Sequence, residues 1–160
     1  MQLDHGLLTA IIENPDDDLP RLLAADWHEE RGDNNAAQLI RSQLANPTAI
    51  RIGWMTHSGQ TKLEYFPEGS HDVEPLLDSL GCGPTFIQRR GFIESITTCW
   101  FHWSSNHVDL CTSYPVRQVR LKSWAFIGGD DGYDRPDAVV FDFLKTLWPG
   151  IKFINTGRDC

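Results

Sequence analysis

Apolar residues recur along the first 46 positions with helical spacing. Leu7, Leu8, Ile11 and Ile12 fall at i, i+1, i+4 and i+5, which predicts one apolar stripe on a first helix. Asn14-Pro15 ends it. Asp16, Asp17 and Asp18 then open a second helix, because carboxylates there can accept from free backbone N–H groups and favour the positive helix end. Pro20 suits the first turn, where its missing donor is not needed. Leu19, Leu22, Leu23 and Trp27 are expected to form the buried stripe of this helix. Gly32 fits the C′ position, and Asp33 or Asn34 can cap a third helix burying Ala36, Leu39, Ile40 and Leu44. Asn46-Pro47 stops that helix.

From 49 to 66 the pattern changes. AIRIGWMTHSGQTKLEYF sets β-branched and aromatic residues around Ser58-Gly59, which predicts a hairpin. HDVEPLLDSLG (71–81) reads as a short helix ended by Gly81. In the C-terminal half three segments fit the leucine-rich-repeat core L-x-x-L-x-L: Ile93-x-x-Ile96-x-Thr98, Val116-x-x-Val119-x-Leu121 and Ile151-x-x-Ile154-x-Thr156. A helix over 103–111 separates the first two. The Gly/Asp-rich loop 128–137 and a helix near 138–147 separate the last two. Strand–helix–strand–helix–strand implies parallel strands with right-handed crossovers.

The predicted architecture is therefore α+β: a three-helix module (1–47), a connecting segment with a hairpin and a short helix (48–85), and a leucine-rich-repeat-like β-α-β-α-β parallel sheet with helices on one face (86–160). On the repeat strands, the residues between core positions are expected to face outward: Ser95 and Thr97, Gln118 and Arg120, Phe153 and Asn155, with Lys122 beyond. That ladder is the expected interaction surface.

Charge narrows the classes of function. The net charge is −8, and residues 1–46 carry nine acids against three bases. An acidic chain repels nucleic-acid phosphates at long range, so direct nucleic-acid binding is not expected. Arg89, Arg90, Arg117, Arg120 and Lys122 form a basic cluster, expected as a solvated strand face. No run approaches the roughly 18 apolar residues of a membrane span, and MQLDHGLL lacks the features of a signal peptide. A cytoplasmic location follows as the expectation, with Cys82, Cys99, Cys111 and Cys160 as reduced thiols.

Asp16-Asp17-Asp18-x-x-Arg21-Leu22-x-x-Ala25-Asp26-Trp27-x-Glu29-Glu30-Arg31-Gly32-Asp33 closely resembles the signature of the bacterial repeat-companion domain. That short helical module precedes leucine-rich-type repeats in large planctomycete protein families. Arg90-Gly91-Phe92-Ile93-Glu94 is similar to the segment that opens the first repeat strand in such proteins. The resemblance implies a helical cap on a short repeat sheet, used for protein contacts, with no assigned catalytic activity. Arg21, Asp26, Trp27, Glu30 and Gly32 would be its structural signature. Positions 49–66 depart from it, since they read as strands where relatives usually continue in helix or linker, and the array is very short.

Several residue groups could carry chemistry or serve structure alone. Asp26 and Glu30 stand i, i+4 on one helix face, as an acid/base or metal pair could. Adjacent to Trp27, Asp26 can instead pair with Arg21, Arg31 or Arg41. Cys99-x-x-His102-x4-His107-x3-Cys111 has residue types that suit zinc. Gly128–Asp134 lacks the alternating acids of an EF-hand loop. No Walker loop, nucleophile elbow or dinucleotide fingerprint is present. The expectation is a non-enzymatic module that binds another protein, an adaptor or accessory subunit of a larger bacterial complex, without a cofactor. The alternatives are a zinc-stabilised binding module and an acidic inhibitor that mimics nucleic acid.

Overall fold

In a computed structural model, residues 3–55, 60–66, 84–123 and 138–159 are described. The helix predicted over 71–81, the Ser58-Gly59 turn and the loop 128–137 lie outside them. The described residues form α1 (His5–Glu13), α2 (Leu19–Glu30), α3 (Asn34–Ala45), β1 (Ile50–Met55), β2 (Thr61–Phe66), β3 (Thr85–Arg89), β4 (Phe92–Cys99), α4 (Trp100–Ser113), β5 (Gln118–Ser123), α5 (Ala138–Leu147) and β6 (Lys152–Asp159). The protein is α+β, built on one mixed sheet of order β2-β1-β3-β4-β5-β6.

The N-terminal helices begin and end where local chemistry directs. Asp4 caps α1 by accepting from the backbone N–H of Gly6 and Leu7. Asp17 accepts from Leu19 N at 2.9 Å at the start of α2. At its end Gly32, with φ +79°, donates to Glu29 O while Asp33 donates to His28 O, the paired bonds of a Schellman motif. Asp33 then caps α3 through Ala36 N. One residue closes one helix and opens the next.

The buried face of α2 is not the predicted one. Arg21, Ala24 and Ala25 are buried, and Leu19, Leu22 and Leu23 are exposed. The physical reason is the packing against its neighbours. Ala24 and Ala25 meet Ile11, Ala37 and Ile40, and short side chains let the three helices approach closely. Arg21 shares that inward stripe because its partner lies across it, on the sheet.

That partner is Glu94. Along β3 and β4, Ile87 stands opposite Ser95 and Gln88 opposite Ile93, so Glu94 is an extra residue in β4. A bulge of this kind re-aims a side chain. Glu94 meets the Arg21 Nη2 at 2.8 Å, in a fully buried position for the arginine, and Arg90 Nη2 at 2.8 Å. Burial, then Arg90, pushes the Arg21 guanidinium down from its ordinary range, and Glu94 opposes this. Arg21 also lies 5.8 Å from the Phe92 ring.

The turn Arg90-Gly91 joins β3 to β4 with both residues at positive φ (+48° and +87°), as a two-residue I′ hairpin requires. Gly91 has a second reason to be glycine: a Cβ there would overlap Ile40 of α3. The buried Gln43 completes the joint. Its amide donates to Gln88 O at 3.1 Å and Ala49 O at 3.3 Å, and its oxygen accepts from Gly91 N at 2.8 Å.

β4, β5 and β6 run parallel, with α4 and α5 on the connections between them. Ile96, Val119, Leu121 and Phe153 pack with Trp103, Phe141 and Leu144 in one cluster. The leucine-rich-repeat alignment fails at its third member. Val119 stands opposite Phe153, and Ile154 is opposite Arg120. In β4 the bulge at Glu94 lets Ile93 and Ile96, three residues apart, reach one cluster; β6 alternates regularly from Ile151 to Phe153.

Replacing Glu94 by Leu leaves two arginines facing a neutral site, whereas Arg21→Met leaves Glu94 still paired with Arg90. Urea unfolding is expected to show a loss near the upper end of about 3–5 kcal/mol for Glu94→Leu and a smaller loss for Arg21→Met. A reversed order would remove Glu94 from the centre of this joint.

Candidate docking face of the N-terminal helices

The predicted outward ladder is not a solvent-facing surface. Ser95, Thr97, Arg120 and Lys122 are buried, and Gln118 is half-buried. Phe153 belongs to the core, its ring 5.7 Å from that of Trp103 in a T-shaped contact. The side chain of Asn155 lies outside the described residues. Ladder positions derived from a repeat pattern assume that one sheet face is solvated, and here polar residues on that face are enclosed.

The basic cluster is likewise not simply a solvated face. Arg117 donates to both carboxylate oxygens of Asp16, at 2.7 and 3.3 Å, and Arg90 Nη1 lies 3.9 Å from Asp16 and from Asp18. The acidic run before α2 thus docks on basic residues of the sheet half. The hydrogen bond from Arg117, then its charge, holds the Asp16 carboxyl below the usual carboxylate range.

The carboxylates of α2 divide by partner. Arg41 of α3 donates to Asp26 and to Glu29, each at 2.6 Å, tying the two helices at their exposed edge. This pair of bonds pushes Arg41 up, and the hydrogen bond to Arg41 holds Glu29 down. Trp27 is half-buried beneath Arg31, whose guanidinium is 4.0 Å from the ring centroid. Glu30 is exposed, 4.0 Å from Arg31. Asp26 and Glu30 converge on no shared centre.

The four zinc-type residues are split between two faces of α4. Cys99 Sγ lies 3.0 Å from His102 Nδ1. His107 instead contacts the Trp103 and Trp148 rings, and Cys111 is buried in the core, where burial pushes its thiol up to about 11. His102 and His107 are five residues apart, about 140° around a helix. Among the described residues no group of three or more His, Cys, Asp or Glu could hold a metal ion.

His102 does line a cleft of about 350 Å³ between α4 and the β3–β4 strands, with Phe86, Ile93, Ile96 and Leu110 as its apolar wall. Cys99 is buried and is not part of that lining, so the thiol lacks the access a nucleophile needs.

Part of what α2 presents to solvent is apolar. Leu19, Leu22 and Leu23 are 60%, 42% and 48% exposed, at i, i+3 and i+4 on one face. Asp16, Asp17 and Asp18 precede the leucines, and Asp26 and Glu30 follow them one and two turns on, all exposed. Three clustered leucines within an acidic frame form one continuous apolar patch rather than scattered surface apolarity. Apolar periodicity alone does not separate these leucines from core leucines. The alanines at 24 and 25 were the available clue, since together with Arg21 they define a complete opposite stripe.

Asp16 and Glu29 have folded pKa values below their unfolded ones. Their contribution to stability is therefore complete above the ordinary carboxylate range and lost as pH falls through the folded values, below about pH 4. Thermal melts from neutral pH downward are expected to show the difference between wild type and Arg117→Gln shrinking in acid. Added zinc is expected to leave the melting temperature unchanged, because the four residues do not converge.

Comparison with known proteins returned no match, whether to a family model, a curated protein or a solved structure.

Proposed function

We propose that the chain is a non-enzymatic protein-binding module, an adaptor or accessory subunit that docks another protein through the outward face of α2. The observation that carries this reading is the leucine stripe Leu19–Leu22–Leu23, exposed on a helix whose other face is packed. The complementary partner surface is an apolar hollow or helix face rimmed by Lys and Arg, matching the carboxylates at both ends of the stripe. The repeat-companion resemblance, which implies protein contacts, agrees with this role. The leucine-rich-repeat-like description of β4–β6 belongs to the same proposal. The three parallel strands support it, and the one-residue offset in β6 limits it to a degenerate array.

Completing the burial of three half-exposed leucines is worth on the order of 1 kcal/mol each, about 3 kcal/mol together. Leu19→Ser/Leu22→Ser/Leu23→Ser is therefore expected to weaken partner binding by about 100-fold while leaving the fold intact. A photo-cross-linker at position 22 should capture the partner from source-cell extract, and one at the exposed Gln38 of α3 should not. Equal capture at both positions, or undiminished binding by the triple variant, would overturn the assignment of this face.

A further inference from the structure

A second surface stands apart from α2. β2 ends the sheet order, and among the described residues its strand partner is β1 alone. Thr61 to Tyr65 are all exposed, including Leu63 (54%) and Tyr65 (44%). An edge strand with exposed apolar side chains is a template for another strand. Its sequence, TKLEYF, decides which strand fits.

We propose that two copies of the chain pair β2 against β2 in antiparallel fashion, with the two-fold axis at Leu63. In that register Lys62 stands opposite Glu64 of the second copy, and Glu64 opposite its Lys62. Leu63 meets Leu63, and Tyr65 meets Thr61. Residues directly opposite share a face with Cβ atoms roughly 5 Å apart, so both charge pairs form on one face and the apolar contact on the other.

The other registers are worse. A shift of one residue sets each charge against an apolar or hydroxyl side chain. A shift of two places Glu64 opposite Glu64 in one direction and Lys62 opposite Lys62 in the other. In-register parallel pairing also aligns like charges. Alternating charge thus admits one antiparallel register, and a two-fold axis satisfies it twice.

The sheet prepares the apolar face. Leu63 is paired with Gly53 of β1, and Gly53 with Phe86 of β3. The Phe86 ring lies over Gly53, where a Cβ would overlap it. An apolar row therefore runs from Phe86 to Leu63 and would continue through the axis into the second copy. On the opposite face, the β1 residues beside Lys62 and Glu64 are Trp54 and Ile52, which offer no competing charge.

A single edge contact is small, so association at the weak end is expected, with a dissociation constant on the order of 100 µM. Sedimentation equilibrium of the full chain across the micromolar to millimolar range tests it. Lys62→Glu and Glu64→Lys should each weaken association about tenfold, because each sets like charges opposite one another twice. The double swap Lys62→Glu/Glu64→Lys should restore it, at unchanged net charge. Glu64→Lys alone separates register from bulk charge, since it moves the net charge from −8 to −6 and would strengthen association if bulk repulsion governed it. A chain that stays monomeric throughout, single variants that associate as wild type does, or a double variant that fails to recover would each overturn the proposal.

Discussion

The contact between Arg21 and Glu94 joins the two halves of this protein, and much of the surrounding structure is arranged to make it possible. An arginine with no exposed surface needs an acceptor that is itself held in place. The bulge in β4 supplies the direction, Arg90 shares the carboxylate, and the Phe92 ring flanks the guanidinium. Glu94 also accepts from Arg117 N through its backbone oxygen, and Arg117 O in turn accepts from Lys152 N. The ion pair is thereby continuous with the backbone hydrogen bonds at the start of the parallel strands. Gln43 and the Gly91–Ile40 contact fix the same joint from α3. The N-terminal helices are consequently an integral layer of the fold.

Charge distribution takes on a different meaning in this light. An excess of acid in the first 46 residues and a basic cluster near the middle of the chain look, in sequence, like two separate surface properties. In the structure they partly neutralise each other: Asp16 and Asp18 approach Arg90, and Asp16 binds Arg117. The exposed pairs are worth little individually. Their contribution is to orientation, since they close around the buried pair and set the entry of α2 onto the sheet.

How far this could be read from the sequence depended on whether the signal was local. Helix limits were legible because Pro20, Gly32 and Asp33 act through their own backbone neighbours. The hairpin of β1 and β2 was legible from composition around a turn, and parallel β4–β5–β6 from strand–helix alternation. The inward face of α2 was not legible, because leucines outrank alanines in any apolar pattern and only the close approach of α1 and α3 makes alanine the better core residue. The third repeat strand was misaligned for a related reason. The spacing Ile93-x-x-Ile96 looks like a repeat, but it arises from the bulge at Glu94, whereas β6 pairs regularly from Lys152 to Asn155 and shifts register only beyond it. A long-range partner caused that bulge to matter, and no local pattern names it. The paired site residues behave similarly: Asp26 had three arginines in sequence reach, and the antiparallel packing of α2 on α3 selected Arg41.

The two surfaces left outward differ in what they can recognise. The α2 face offers side chains only, and its leucines sit between carboxylates of one sign. Asp16 and Asp26 are already paired with Arg117 and Arg41, but two such faces brought together would still oppose Asp17, Asp18 and Glu30 with the same residues, which disfavours a second copy there. β2 offers backbone donors and acceptors with charges that alternate in sign along one face, which is the condition for self-complementarity about a two-fold axis. A partner on α2 and a copy on β2 therefore need not compete. In the proposed assembly the same physical rule, opposite charges adjacent and like charges apart, assigns each surface a different occupant.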